Sequence, residues 1–322
     1  MLAVIATHGH CFDGLCSAVM FTRLLRHLRP NDPLSFRYHS MGYGPGQNGV
    51  DPKLLVGDEN AILDYRFTKT DKLTWYFDHH VSAFPTDVEK VAYAEGSEKP
   101  KRQMFHDGTY GSCTKLIADI GRERFGLDTG PMKSLVEWAD VIDSASFPTA
   151  EMAVRREEPV LQLMTVVEQS ADDAFIGRMV VRLLLESVED VARAPDIKAA
   201  YAPLYESRLA FIEMVQKAAV VRGPVVMVDL SEQIIDVAGK FVTYALYPES
   251  VYSVYLTRSK TKCKISVGYN PWCNVPRTHN IAEICEQYGG GGHPVVGAVS
   301  VLADEVDKAK AITAEIVERL GG

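Results

Sequence analysis

Trp75-Tyr76-Phe77-Asp78-His79-His80 is the stretch from which the fold is read. An apolar, aromatic strand that ends in an acid and two imidazoles carries metal-binding groups to the rim of a sheet. By itself the stretch fits a buried carboxylate–imidazole pair at a strand end equally well. Its weight comes from His8, Asp13, Asp64 and Asp140, which close other strand or helix patterns in the same half of the chain. Packing alone does not explain so many polar groups at element ends.

Upstream, residues 2–7 read as a buried strand. His8-Gly9-His10-Cys11-Phe12-Asp13-Gly14 follows, and then a helix whose apolar positions include Leu15, Val19, Met20, Leu24 and Leu25. Strand, polar loop and helix start form a place where ligands collect in α/β proteins. A second strand is expected over 34–41, with a turn-rich loop over 42–49. Ala61-Ile62-Leu63-Asp64 is a short run ending in a carboxylate, and 73–77 is another that ends at Asp78. Downstream, His106-Asp107-Gly108-Thr109-Tyr110-Gly111-Ser112-Cys113-Thr114 leads into a helix for which Ser112 or Thr114 suits the N-cap. Leu135-Val136-Glu137-Trp138-Ala139-Asp140-Val141-Ile142-Asp143 has helical spacing and places two carboxylates on one face.

From 149 to about 221 the periodicity is helical. Strands return at 225–230, 251–257 and 264–268, with a helix between them at 238–246. The chain closes with a helix at 279–288, the loop Gly289-Gly290-Gly291-Gly292-His293, a strand at 295–302 and a helix at 304–320. The reading is an α/β chain of two domains. Residues 1–150 form a parallel-sheet metal-binding domain, 151–222 a helical scaffold and connector, and 223–322 a smaller α/β substrate-binding domain.

With 322 residues, 47% hydrophobic and 24% charged, the chain has the composition of a soluble globular protein. A formal net charge of -8 argues against a protein that grips long duplex nucleic acid through its phosphates. Six cysteines without a Cys-x-x-Cys pair indicate neither a disulfide framework nor a zinc ribbon. A reducing, cytoplasmic compartment is expected. The first residues suit a strand and not a signal peptide, and no run approaches the ~20 apolar residues of a membrane helix.

Imidazoles and carboxylates without paired thiolates suit divalent ions of intermediate hardness such as Mn²⁺. Two ions sharing a carboxylate roughly 3.5–4 Å apart stabilise the attacking and leaving oxygens of phosphoryl transfer. In the second half, the glycine run brings backbone N–H groups to an anion, Arg258 offers a bidentate phosphate partner, and His293 a further donor.

On these motifs the chain resembles the DHH phosphoesterase superfamily with its DHH-associated C-terminal domain, over nearly its whole length. The resemblance implies a hydrolase with two Mn²⁺ ions in the N-terminal domain, and substrate received by the C-terminal domain across a cleft. It implies that His8 and Asp64 hold the first ion, that Asp13, Asp64, His79 and Asp140 hold the second, and that Asp64 bridges. His80 would face the scissile phosphate, a hydroxide activated by the ions would attack it, and Asp78 would orient His79. Arg258, Gly290, Gly291, Gly292 and His293 would bind the substrate's other phosphate or nucleotide.

One position departs from the family pattern: Cys11 stands where a second carboxylate usually precedes the Asp-Gly pair. Three readings stay open. Cys11 ligates a different metal, Zn²⁺ or Fe²⁺; His10 replaces it; or the first site is weak. The expected function is hydrolysis of a small phosphodiester, a short oligonucleotide or dinucleotide. The alternatives are a phosphatase for a nucleotide bisphosphate or polyphosphate, and a non-catalytic nucleotide-binding protein. No membrane or long duplex partner is expected, and a homodimer is allowed.

Overall fold

The computed structural model describes residues 1–43, 49–170, 172–235, 239 and 241–321. Most of the expected turn-rich loop, at 44–48, and the start of the helix expected from 238 therefore lie outside the described residues. In chain order come β1 (Leu2–His8), α1 (Phe12–Leu28), β2 (Ser35–Met41), β3 (Glu59–Leu63), β4 (Trp75–Asp78), α2 (Asp87–Ser97), β5 (Gln103–His106), α3 (Cys113–Phe125) and α4 (Lys133–Asp143). Helices α5 (Ala150–Arg155), α6 (Pro159–Gln169), α7 (Asp173–Leu185), α8 (Val188–Arg193) and α9 (Pro195–Ala218) follow. The remainder is β6 (Ala219–Arg222), β7 (Val225–Ile234), α10 (Val242–Leu246), β8 (Tyr252–Arg258), β9 (Lys262–Tyr269), α11 (Ile281–Glu286), β10 (Gly291–His293), β11 (Val296–Leu302) and α12 (Val306–Arg319).

Two compact units result, Met1–Ser146 with Glu157–Leu204 and Phe147–Arg156 with Tyr205–Gly322. The helices expected as one connector over 151–222 are thus shared: α6 to α8 belong to the first unit and α5 to the second. α9 passes from one to the other beside Pro203, where the ring removes a backbone donor from the helix.

The first unit is built on a parallel sheet of order β2-β1-β3-β4-β5. Parallel sheets are covered on both faces, and accordingly Ala3, Val4, Ile5 and Ala6 of the inner strand β1 are all fully buried. In β4 the side chains alternate. Phe77 meets Phe21 of α1 and Phe105, while Tyr76 packs against Phe67 and Tyr93 on the other face. Strand β5 is an addition to the elements expected from the sequence. Its Met104 and Phe105 are buried, and its backbone pairs with β4 from Trp75↔Gln103 to Asp78↔His106. Because β1, β3 and β4 run in parallel, their carboxyl ends share one edge, where ligands of open α/β sheets gather. His8, Asp64 and Asp78 stand there. Close approach is built in: a Cβ on Gly14 would lie 2.1 Å from the His8 carbonyl oxygen.

The second unit holds a mixed sheet of order β10-β11-β9-β8-β7-β6, in which β7 and β8 pair in parallel and the other neighbours antiparallel. The helical pattern expected to reach 221 stops at Ala218. Val220 and Val221 extend instead as an edge strand against β7, as two consecutive β-branched residues favour. One face of the sheet, with Val254, Leu256, Cys263, Ile265 and Val299, packs on Ile281 and Ile284 of α11 and Ile312 and Ile316 of α12. Gly291–His293, expected as a loop, pairs with β11 as the short strand β10. No helix among the described residues is long and apolar enough to cross a membrane.

Candidate metal centre

His8 closes β1, Asp64 follows β3, and His79 follows β4. Asp64 adopts φ +53°, a left-handed conformation uncommon for non-glycine residues. Its N–H donates to the Phe77 carbonyl at 2.9 Å, which ties that backbone to β4 and turns the side chain inward. His8 Nδ1 lies 3.5 Å from one Asp64 oxygen, and His79 Nε2 lies 3.5 Å from the other. His79 Nε2 is also 3.1 Å from Asp143 Oδ2 and 3.9 Å from Asp13 Oδ2.

These atoms are close but misdirected for hydrogen bonding. His8 Nδ1, both Asp64 carboxylate oxygens and His79 Nε2 are buried without a hydrogen-bond partner. Buried polar atoms are nearly always paired, and lone pairs converging on common points are what a cation would satisfy. The donors fall into three groups, His8–Cys11–Asp64, Asp64–His79–His80 and Asp13–His79–Asp143, each with its ligand atoms within 4.8 Å of one another. Nitrogen and oxygen donors with one sulfur fit divalent ions.

The electrostatics agree. Burial, reinforced by Asp64 and Asp143, pushes the Asp13 carboxyl well above its usual range. Asp64 also carries a burial cost, but contacts with His79 and His8 outweigh it and hold its carboxyl below the usual range. His79 is driven up to about 11, its burial overcome by Asp143 and Asp64. Three carboxylates in one buried place favour any positive charge that can join them.

The surroundings fix the rings. His79 Nδ1 lies 3.1 Å from the Tyr110 carbonyl, so an Nδ1–H donated there turns Nε2 toward the carboxylates. Asp13 accepts the N–H groups of Cys113 and Thr114 at 2.7 and 3.0 Å, at the start of α3, whose N-cap is Ser112.

Two expectations need correction. Asp78 orients His80 and not the His79 ring: its Oδ1 accepts from His80 Nδ1 at 2.7 Å and from the backbone N–H of both histidines, and its Oδ2 accepts from the Tyr76 hydroxyl. Asp140, expected as a ligand, accepts from Ser112 Oγ at 3.2 Å. Asp143, three residues later on the same helical face, joins the cluster instead. The register of α4 decides between these two acids, and spacing alone leaves them equivalent. One signal favoured Asp143: it is the last residue of α4, where a helix disfavours negative charge. His10, the other candidate to replace the missing carboxylate, faces the Glu168 carbonyl through Nδ1 at 2.9 Å.

In the second unit a cavity of about 380 Å³ is lined by Thr257, Lys262, Lys264, Ser266, Gly291 and His293, among others. Gly292 is part of its wall, whereas Gly290 sits against the Ala298 carbonyl. Arg258 lies elsewhere: its Nε donates to the Ala303 carbonyl at 3.0 Å. Strand parity explains the difference. Arg258 shares the face of Val254 and Leu256, which packs on α12, whereas Lys264 and Ser266 alternate with Cys263, Ile265 and Val267 and project the other way. That alternation is visible in the sequence and selects the lysines.

No protein-family model matches the chain, and no curated protein matches it by sequence. Solved structures do match. The pGpG-specific phosphodiesterase PggH of Vibrio cholerae aligns with a TM-score of 0.67 at 21% identity, covering 99% of this chain and 99% of that one. A DHH domain from a member of the s1p family of ribosomal proteins aligns at 0.60 and 14% identity, covering 98% and 86%. RecJ of Thermus thermophilus, in complex with Mn²⁺, aligns at 0.55 and 11% identity, covering 99% of this chain and 52% of RecJ. In fold, the chain is similar to these proteins, DHH-domain structures among them.

Proposed function

We propose that the protein is a metal-dependent phosphoesterase that hydrolyses a small phosphodiester, a dinucleotide or short oligonucleotide. The observation that carries this reading is the convergence of buried donor atoms from His8, Asp64 and His79 that no hydrogen bond satisfies. His8, Cys11 and Asp64 would hold one ion and Asp13, Asp143, His79 and Asp64 a second, with Asp64 common to both. Ions bound there supply Lewis-acid polarisation of the phosphoryl group and offset the charge that develops on it. Asp78 holds His80 by Nδ1 and raises its pKa, which favours the ring as a donor toward a phosphoryl oxygen. The cavity of the second unit has the volume of a small-ligand site, and its lysines and backbone N–H groups suit a nucleotide phosphate. Dinucleotide substrates are favoured because PggH, which aligns over nearly its full length, is a pGpG-specific phosphodiesterase.

The test is incubation of purified protein with Mn²⁺ and pGpG, with a nucleoside 3′,5′-bisphosphate in parallel. Release of mononucleotide from pGpG supports the reading. Phosphate release from the bisphosphate alone makes the protein a phosphatase. Tight binding of pGpG with no product from either makes it a nucleotide-binding protein.

A further inference from the structure

The donor groups of the metal centre differ in chemical character. We propose that Cys11 ligates one ion as a thiolate together with His8 and Asp64, and that this site selects a borderline ion of the Zn²⁺ or Fe²⁺ class over Mn²⁺. The inference rests on the metal-centre reading above and goes beyond it in assigning which ion the first site takes and why.

Three observations support it. The Cys11 sulfur and one ligand atom each from His8 and Asp64 lie within 4.8 Å of one another, and His8 Nδ1 and both Asp64 oxygens are buried and unpartnered. Cys11 occupies the N-cap of α1, where its side chain makes no capping hydrogen bond, and its Sγ instead approaches Asp143 Oδ1 at 4.0 Å, at the carboxylate cluster. His10, the alternative donor in the same loop, is turned to the Glu168 carbonyl with φ +55°. The sulfur is therefore the donor left to complete the group.

On binding, the metal–sulfur bond forms as the Sγ–H bond breaks and the proton leaves to solvent. No electron is transferred. A thiolate is softer than the carboxylates of the Asp13–His79–Asp143 group, so the two sites divide unlike ions between them.

The test reads metal binding and not turnover. Protein stripped with a chelator is titrated with Co²⁺, and the expected result is a thiolate-to-cobalt charge-transfer band in the near-ultraviolet. Cys11→Ser should lose the band while keeping the weaker visible absorption of cobalt bound by nitrogen and oxygen. In a second measurement, protein equilibrated with equal Zn²⁺ and Mn²⁺ is analysed for metal content. Cys11→Asp, which restores a capping side chain and guards against misfolding, should lower the Zn:Mn ratio by at least the roughly 10–100-fold that loss of an outer-shell partner costs. Absence of the band in the wild type, a band unchanged in Cys11→Ser, or an unchanged Zn:Mn ratio would each overturn the proposal. A band without hydrolysis under any metal leaves the proposal standing and removes the phosphoesterase reading. Hydrolysis with Mn²⁺ and no band does the reverse.

Discussion

Replacement of Asp64 by asparagine perturbs both donor groups on which the phosphoesterase reading depends. Asparagine is the informative choice because Asp64 sits at φ +53°, where asparagine is tolerated. Alanine there would add about 1–2 kcal/mol of backbone strain. The substitution keeps shape and backbone and removes one negative charge from the residue common to both proposed sites, His8 and Cys11 completing one and Asp13, His79 and Asp143 the other. Losing an outer-shell partner of a metal ligand already costs about 10–100-fold in metal affinity or activity, so removing a ligand common to both ions should lower turnover of pGpG with Mn²⁺ by at least about 10²-fold. Stability should fall as well. His79 and His8 hold the Asp64 carboxyl below its usual range against its burial, so Asp64→Asn should unfold at a lower temperature without metal. It should lose most of the upshift that ions produce, which for the wild type at a hundredfold excess over Kd amounts to about 2.7 kcal/mol. Mononucleotide release and thermal unfolding with and without Mn²⁺ measure both quantities. Asp64→Asn protein that turns over within tenfold of wild type and keeps its metal-induced upshift would refute a shared ligand.

Asp143→Asn should lower metal affinity by at least about 10-fold, whereas Asp140→Asn should cost only about 0.5–1.5 kcal/mol of stability through its bond to Ser112 Oγ; metal titration and thermal unfolding of the pair decide, and the reverse ranking would return Asp140 to the ligand set. Lys264→Ala should weaken dinucleotide binding by about 1.5–3 kcal/mol, a charge-assisted hydrogen bond, while Arg258→Ala, whose Nε is engaged with Ala303, should leave affinity nearly unchanged; calorimetric titration distinguishes them. The metal-free protein should lose stability as pH rises. His79 is raised from 6.5 to about 11 in the folded state, where Asp143 and Asp64 outweigh its burial. Its contribution is therefore full below about pH 6.5 and lost as pH climbs through about 11. Asp13, also raised by burial and its neighbours, tilts the curve the same way. Unfolding temperatures between about pH 7 and 10 should fall without metal and flatten with it, and a rise would contradict the assignment.

The elements that carry the metal centre were legible because their signals are local. A buried parallel strand writes itself as an apolar run, as in β1 and in Trp75-Tyr76-Phe77, and the polar residue that ends it marks the sheet's rim. The strand β5 was not legible, since Gln103 and His106 break the pattern and its place comes from backbone pairing with β4. The Gly289–Gly292 run reads as a loop because glycine permits a turn, yet Gly291 to His293 pair with β11.

By itself the sequence determined that His8, Cys11, Asp13, Asp64 and the two histidines after Asp78 close or open elements of an α/β unit, and that a glycine-rich segment lies in a second unit. Tertiary structure alone decided which donors meet. Asp143 reaches the cluster and Asp140 does not, Asp78 holds His80 and leaves His79 to Tyr110, and the lysines of β9 face the cavity while Arg258 faces α12. The physical reason is that periodicity assigns a residue to a face. Which partner that face meets depends on helix register and strand order, set by contacts between residues far apart in the chain.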